Sequence, residues 1–333
     1  MLQRAFGMVV ALAASSMASG AESQVGKVQK LAPDVYFYEG DIDKGHCNNG
    51  WVVFDDYVLV IDANFPSGAR EVIPKIRELT NKPIRFAFDT HHHGDHAYGN
   101  QVWVDEGATP VAHTGVIEEM KKYETGLYGG APGRWEDEAK EREDVRGSRL
   151  KPPSVLFPDT LFFDDGTHRV ELHHYGVAHT HGDGFAWLPK ERILFTGDAT
   201  VNGPYNYVGD GDMGAWIETL ERPRALGALV VGPGHGPLGD ASLMEDQQIF
   251  FRELRRVVQR VSSGKSPTEV QASIEAVRAE LVKNARIARY VGRDFPAQVA
   301  KAYNEVTGKT LPDRRAEVEA ERTHNAWHGT GGH

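Results

Sequence analysis

An α/β fold with a helical C-terminal extension is predicted by three features: β-like runs alternate with helical ones, each run ends in a polar loop, and the last part of the chain is almost wholly helical. From Val35 the chain reads as short strands, VYFYEG, WVVFDD and YVLVIDA, with Asp55 and Asp56 forming a hairpin turn. Residues 68–79, GAREVIPKIREL, set Val72, Ile76 and Leu79 at helical spacing and lead into another strand, IRFAFDT. A second round follows, with VAH at 111–113 and a helix through GVIEEMKKY. Residues 124–153 are rich in glycine and charge, which predicts a mobile excursion over the surface. Beyond it, LFFDDGTHRVELHHYG is a strand pair around an Asp165-Gly166 turn, and the buried strands ERILFTGDA and ALVVGPGHG flank a helix at GAWIETLERPRAL. From Leu243 the pattern is helical, through FFRELRRVVQRV and then a new start at Ser266-Pro267-Thr268-Glu269, a capping box with Pro at the first helical position. A boundary near Gly264 separates a main unit, 22–263, from a helical extension and loose tail, 264–333.

The net charge of -10 argues against a nucleic-acid partner, which needs a basic surface to displace counterions from phosphates. An acidic surface gives no reason to expect membrane association either. At the N-terminus Arg4 precedes an apolar run from Ala5 to Leu12 and then small residues up to Ala21. This is the order of a cleavable export signal over residues 1–21, too short in its apolar part to span a bilayer comfortably, so the mature chain is expected in the periplasm or secreted. Although an exported chain can form disulfides, the single cysteine, Cys47, closes no intramolecular bridge. No charge cluster in KGHCNNG would depress its pKa, so it reads as a small packed residue and not as a nucleophile or ligand.

The most informative segment is Thr90-His91-His92-His93-Gly94-Asp95-His96. Neighbouring imidazoles at a strand end crowd polar nitrogens that need partners, and a metal is the natural partner. On an extended or turning segment His91 and His93 point to one side and can hold one metal, Asp95 and His96 project toward a second position, and His92 points away as a supporting or surface residue. Three isolated residues lie at later loop tips: His179 in VAHTHGD, Asp198 in LFTGDA and His235 in GPGHGP. Singly each has a bland explanation as a turn or surface residue. Together they complete a balanced set, in which His91, His93 and His179 serve one metal, Asp95, His96 and His235 serve another, and Asp198 bridges. Imidazole with carboxylate and no thiolate suits two zinc ions best, with iron or manganese as the other metals this donor set accepts.

The pattern His-x-His-x-Asp-His at 91–96, with His179, Asp198 and His235, resembles the metallo-β-lactamase-fold superfamily over roughly residues 30–240. The resemblance implies a four-layer αβ/βα sandwich, two mixed sheets face to face with helices outside, with the metal site along one edge of a catalytic domain at 22–263. Asp62, ending VLVID, matches the family aspartate that supports the metal histidines, the other reading being a plain strand-end turn residue. β-Lactamases of this fold usually place Cys or Ser where Asp198 stands, whereas Asp there is similar to glyoxalase II and to broad hydrolases. Glyoxalase II uses cytosolic glutathione, and an exported chain does not fit that substrate.

The implied chemistry is hydrolysis by a bridging hydroxide shared between two metals, with Asp95 both a ligand and the catalytic residue that orients the attack. The substrate is expected to be a small molecule with an ester, thioester, lactone or β-lactam bond. A β-lactamase proper, or an iron-dependent persulfide or sulfur oxidoreductase, are the alternatives, and nothing in the sequence sets an oligomeric state. His181 either donates to a substrate or caps a turn beside Asp183, and the Tyr205-Asn206-Tyr207 cluster either lines the pocket or packs. His324, His328 and His333 read as a solvated tail.

Overall fold

The computed structural model describes residues 23–326, with side chains to residue 322. Residues 1–21, where an export signal is expected, His328, His333 and the side chain of His324 lie outside the described residues.

Among the described residues twelve strands form two sheets. The first contains β1 (Val28–Ala32), β2 (Val35–Tyr38), β3 (Asn49–Val53), β4 (Val58–Ile61), β5 (Ile84–Asp89), β6 (Thr109–His113) and β7 (Val155–Phe157), in that spatial order. The second contains β8 (Thr160–Asp164), β9 (Arg169–His173), β10 (Phe185–Leu188), β11 (Ile193–Gly197) and β12 (Val230–Pro233), also in sequential order across the sheet. Both are mixed. β1 to β4 run antiparallel and β4 to β7 parallel, while β8 to β11 run antiparallel and β12 lies parallel to β11.

The period-2 alternation of side chains explains the layering. Val35, Phe37, Val52, Leu59, Ile61 and Phe88 meet Val170, Leu172, Ala186, Leu188, Ile193 and Phe195 in one apolar cluster between the sheets. The alternate residues Tyr36, Tyr38, Trp51, Val58 and Val60 face outward onto Val72 and Ile76 of helix Pro66–Leu79 and onto Trp103. On the far side Phe185, Trp187, Leu194 and Val231 pack against Trp216, Phe250, Phe251 and Leu254. Helix, sheet, sheet, helix is the four-layer sandwich expected. The last cluster continues without a break into Val277, Leu281, Phe295, Val299 and Leu311, so the C-terminal helices share their core with the second sheet.

Residues 124–153 correct the expectation of a mobile surface excursion. They form short helices at Thr125–Tyr128, Arg134–Glu141 and Glu143–Arg146, and they bury Glu124, Glu138, Arg142 and Val145 against the body. Val145 joins Phe65 and Tyr98 in a small apolar cluster with Trp135, which is what the charge-rich composition concealed. Among the described residues no helix is long and apolar enough to cross a membrane.

Candidate metal centre

Strand pairing brings the polar loops together. β4 and β5 are parallel, with Ile61 beside Phe88, so Asp62 and Thr90 leave the sheet side by side. β11 and β12 are parallel, with Gly197 beside Pro233, so Asp198 and His235 emerge together. Their approach requires glycine at 234, where an added Cβ would lie 1.9 Å from Asp198 Oδ1 and 2.7 Å from the Gly197 carbonyl carbon. After β5 the chain turns at once into helix Gly94–Ala97, whose first turn swings Asp95 and His96 inward.

The three nitrogens of the first set converge: His91 Nε2 lies 3.0 Å, and His179 Nε2 2.9 Å, from His93 Nδ1. Their outer partners determine which nitrogen carries the proton. His179 Nδ1 faces the Tyr207 carbonyl at 3.1 Å and must donate to it, and His93 Nε2 likewise donates to Asp210 Oδ2 at 2.9 Å. Thr90 Oγ1 gives its proton to Asp62 Oδ1 at 2.7 Å, so it accepts from His91 Nδ1 at 3.1 Å. Each imidazole thus turns a lone pair toward one common point.

In the second set His235 Nε2 is 3.0 Å and His96 Nε2 3.4 Å from Asp95 Oδ2. Asp198 spans both sets, with Oδ1 3.4 Å from His96 Nε2 and Oδ2 3.5 Å from His235 Nε2 and 3.6 Å from His179 Nε2. Asp62 Oδ2 sits 3.0 Å from His96 Nδ1, and its Oδ1 also accepts the Thr90 amide, a position it reaches from a left-handed backbone with φ +66°. All seven donors named from the sequence are buried. Convergent lone pairs and carboxylates, together with buried His96 nitrogens and an Asp198 oxygen that make no hydrogen bond, fit divalent cations.

The electrostatics agree. Burial, then His96 and the other histidines, hold His91 well below its ordinary pKa, and burial brings His179 to about 4, so both are neutral donors. Burial works against ionisation of Asp198, but His235, His96 and His179 outweigh it and lower the carboxyl to about 2. Cys47, buried with its thiol pushed up to about 12 by desolvation, remains protonated, although it lies near Asp62 and His96.

Two residues that sequence reasoning missed hold the outside of this cluster. Asp210 supports His93, lies 3.7 Å from His92 Nε2, and is gripped by both terminal nitrogens of Arg134, at 2.5 and 3.1 Å. Neither residue carries a spacing signal, because they meet only through the fold. His92 is buried and stacks on Tyr123 at 5.3 Å, so it supports the site and is not a surface residue. His181 is exposed, and it is Asp183 that organises the turn by accepting from the Thr180 amide and hydroxyl, both at 2.8 Å. Tyr205 lies against His235 at 5.9 Å, and Tyr207 contributes its carbonyl. Beyond Asp210 a cavity of about 400 Å³ separates this wall from the C-terminal helices, with Lys301 and Glu321 on its far side.

Two facing mixed sheets with helices outside and a histidine and aspartate cluster at one rim define the class of metal-dependent hydrolases. The profile of the metallo-beta-lactamase superfamily matches residues 42–235, more than half of the chain, and the chain belongs to that superfamily. Solved structures agree in fold. A metallo-beta-lactamase from Pontibacter korlensis is 21% identical with a TM-score of 0.53, over 68% of this chain and 98% of that one. The DIM-1 metallo-beta-lactamase exposed to ceftazidime is 19% identical with a TM-score of 0.53, over 70% of this chain and 99% of that one. TMB-1 is 18% identical with a TM-score of 0.52, over 68% and 97%.

Proposed function

We propose that this protein is an exported hydrolase that holds two zinc ions and cleaves an ester, thioester, lactone or β-lactam bond of a small molecule. The observation that carries the reading is the division of the donors into two triplets with Asp198 within reach of both. His91, His93 and His179 would hold one ion, Asp95, His96 and His235 the other, with Asp198 between them. When bound, the ions activate water for attack and polarise the scissile carbonyl.

The residues do the rest. Asp210, the Tyr207 carbonyl and Thr90 keep each imidazole in the tautomer that presents its lone pair inward. Asp95 accepts a hydrogen bond from the attacking water at a carboxylate oxygen and orients it. Burial of all seven donors keeps bulk water from screening the developing charge. An aspartate at 198, where β-lactamases of this fold usually carry Cys or Ser, favours ester, thioester and lactone substrates over β-lactams.

The test is turnover per bound metal of the zinc-loaded protein on a chromogenic β-lactam, a thioester and a lactone, with metal-stripped protein as control. Zinc-dependent hydrolysis is expected, fastest on the thioester or lactone. No turnover on any of the three substrates would contradict the proposed zinc hydrolysis and leave iron-dependent sulfur oxidation or a non-catalytic role as the readings to test. Intact mass of the periplasmic protein should show cleavage after Ala21.

A further inference from the structure

A second polar cluster lies in an open groove of about 670 Å³ between the loop 41–48, helix Pro66–Leu79 and the helices of 134–146, and none of the seven metal-centre donors lines it. Ser67 Oγ stands 2.9 Å from His46 Nε2. Arg142 Nη2 is 3.2 Å from the same hydroxyl oxygen. A guanidinium only donates, so Ser67 accepts from Arg142, and its own proton has two acceptors in reach, His46 Nε2 and the Asp144 carboxylate, which also accepts the Ser67 amide at 2.9 Å. Behind the ring, His46 Nδ1 faces Glu71 Oε2 at 3.7 Å, and Glu71 is itself held by the Tyr38 hydroxyl at 2.5 Å. His46 is 3% exposed, whereas Ser67 is partly exposed to the groove.

From this arrangement we infer a second, metal-independent reactive site, in which Ser67 is the nucleophile, His46 the general base and Glu71 its charge partner, acting on small carboxylic esters with a good leaving group. The protonation states agree with the geometry. Burial first, then Arg142 and Lys44, lower the His46 pKa against the pull of Glu71 and Asp144, which leaves a free base at neutral pH. Burial works against ionisation of Glu71, but Tyr38, Lys44 and His46 outweigh it and keep the group a carboxylate. Ser67 is also the second residue of a 14-residue helix, whose N-terminal dipole favours negative charge on Oγ.

In the reaction the Ser67 proton passes to His46 Nε2 as Oγ bonds to the acyl carbon, with Arg142 beside the developing charge. The bond to the leaving oxygen then breaks and that oxygen takes the proton from His46. Water repeats the sequence, releasing the acid and restoring the Ser67 hydroxyl.

The experiment treats the folded full chain, zinc-loaded and metal-stripped, with a fluorophosphonate, which loses fluoride on bonding to an activated serine. One adduct is expected, mapped to Ser67 by peptide mass and formed at the same rate with and without metal. Ser67→Ala should abolish labelling and the metal-independent hydrolysis of p-nitrophenyl acetate. His46→Gln should slow labelling at least about 100-fold, and Glu71→Gln about 10-fold. Absence of an adduct at Ser67 in the unaltered protein overturns the inference without recourse to any variant. Labelling of folded His46→Gln as fast as the unaltered protein overturns it too, since His46 would then play no part in activating Ser67.

Discussion

The loop after β5 and the loop after β11 serve the same cluster by different means. The first packs His91, His92, His93, Asp95 and His96 into a turn that leaves the sheet directly, tied by Asp62 and Thr90 on neighbouring parallel strands. The second spreads its contributions from Asp198 through the Tyr207 carbonyl to Asp210, and depends on groups from elsewhere. Arg134 grips Asp210 from the 124–153 segment, and Gln298 of a C-terminal helix donates to the Asn206 carbonyl at 2.8 Å. One half of the site is therefore determined locally, and the other by long-range contacts that a substitution far from any metal donor can disturb.

The largest effect on this contrast is expected from Asp198→Ala, which removes the carboxylate common to both triplets. Turnover should fall by about 100- to 1000-fold with loss of one zinc equivalent, while a near-normal rate would show that the second loop does not join the two sets. Asp210→Ala leaves every proposed donor in place but releases His93, so zinc affinity should weaken about 10- to 100-fold in competition with a chromogenic chelator. Unchanged affinity would show that the first loop holds His93 unaided. Arg134→Met should produce a smaller loss in the same assay, about 10-fold or less, because Asp210 keeps its contacts to His93 and His92.

The smallest effect concerns the start of helix Thr114–Tyr123, ahead of the Arg134 segment. His113 Nδ1 accepts the Gly115 amide at 3.1 Å and Nε2 donates to the Pro158 carbonyl at 2.9 Å. Burial, then the stacked His174, lowers its pKa from 6.5 to about 4. The unfolded chain therefore takes up the proton first, so the stability that His113 contributes is present above pH 6.5 and is lost as pH falls toward 4. Chemical denaturation across that range should show His113→Asn losing less stability than the unaltered protein, by on the order of 1 kcal/mol. Parallel pH profiles would contradict this.

The same contrast explains what the sequence made legible. The 90–96 motif was readable because its chemistry is concentrated in consecutive residues, and the later His179, Asp198 and His235 because each ends a recognisable polar loop. Their convergence followed from parallel pairing of β4 with β5 and of β11 with β12. Asp210 and Arg134 were not readable, since a carboxylate in NYVGDGD and an arginine after Gly133 announce nothing until the fold brings them within hydrogen-bond distance. The strands β1, β7 and β10 are not legible in the sequence for a different reason. VQKLA, VLF and FAWL are short, and they gain their strand character from neighbours in the sheet and not from their own pattern. Residues 124–153 misled because charged side chains dominate their composition, while the few that matter, Glu124, Glu138, Arg142 and Val145, are buried.

The measurement that tests the central claim most directly is an equilibrium titration of the metal-stripped protein with zinc, with bound metal counted by native mass spectrometry. Two equivalents per chain are expected, falling to one in Asp198→Ala. A single equivalent in the unaltered protein, or none, would contradict a centre built from two triplets.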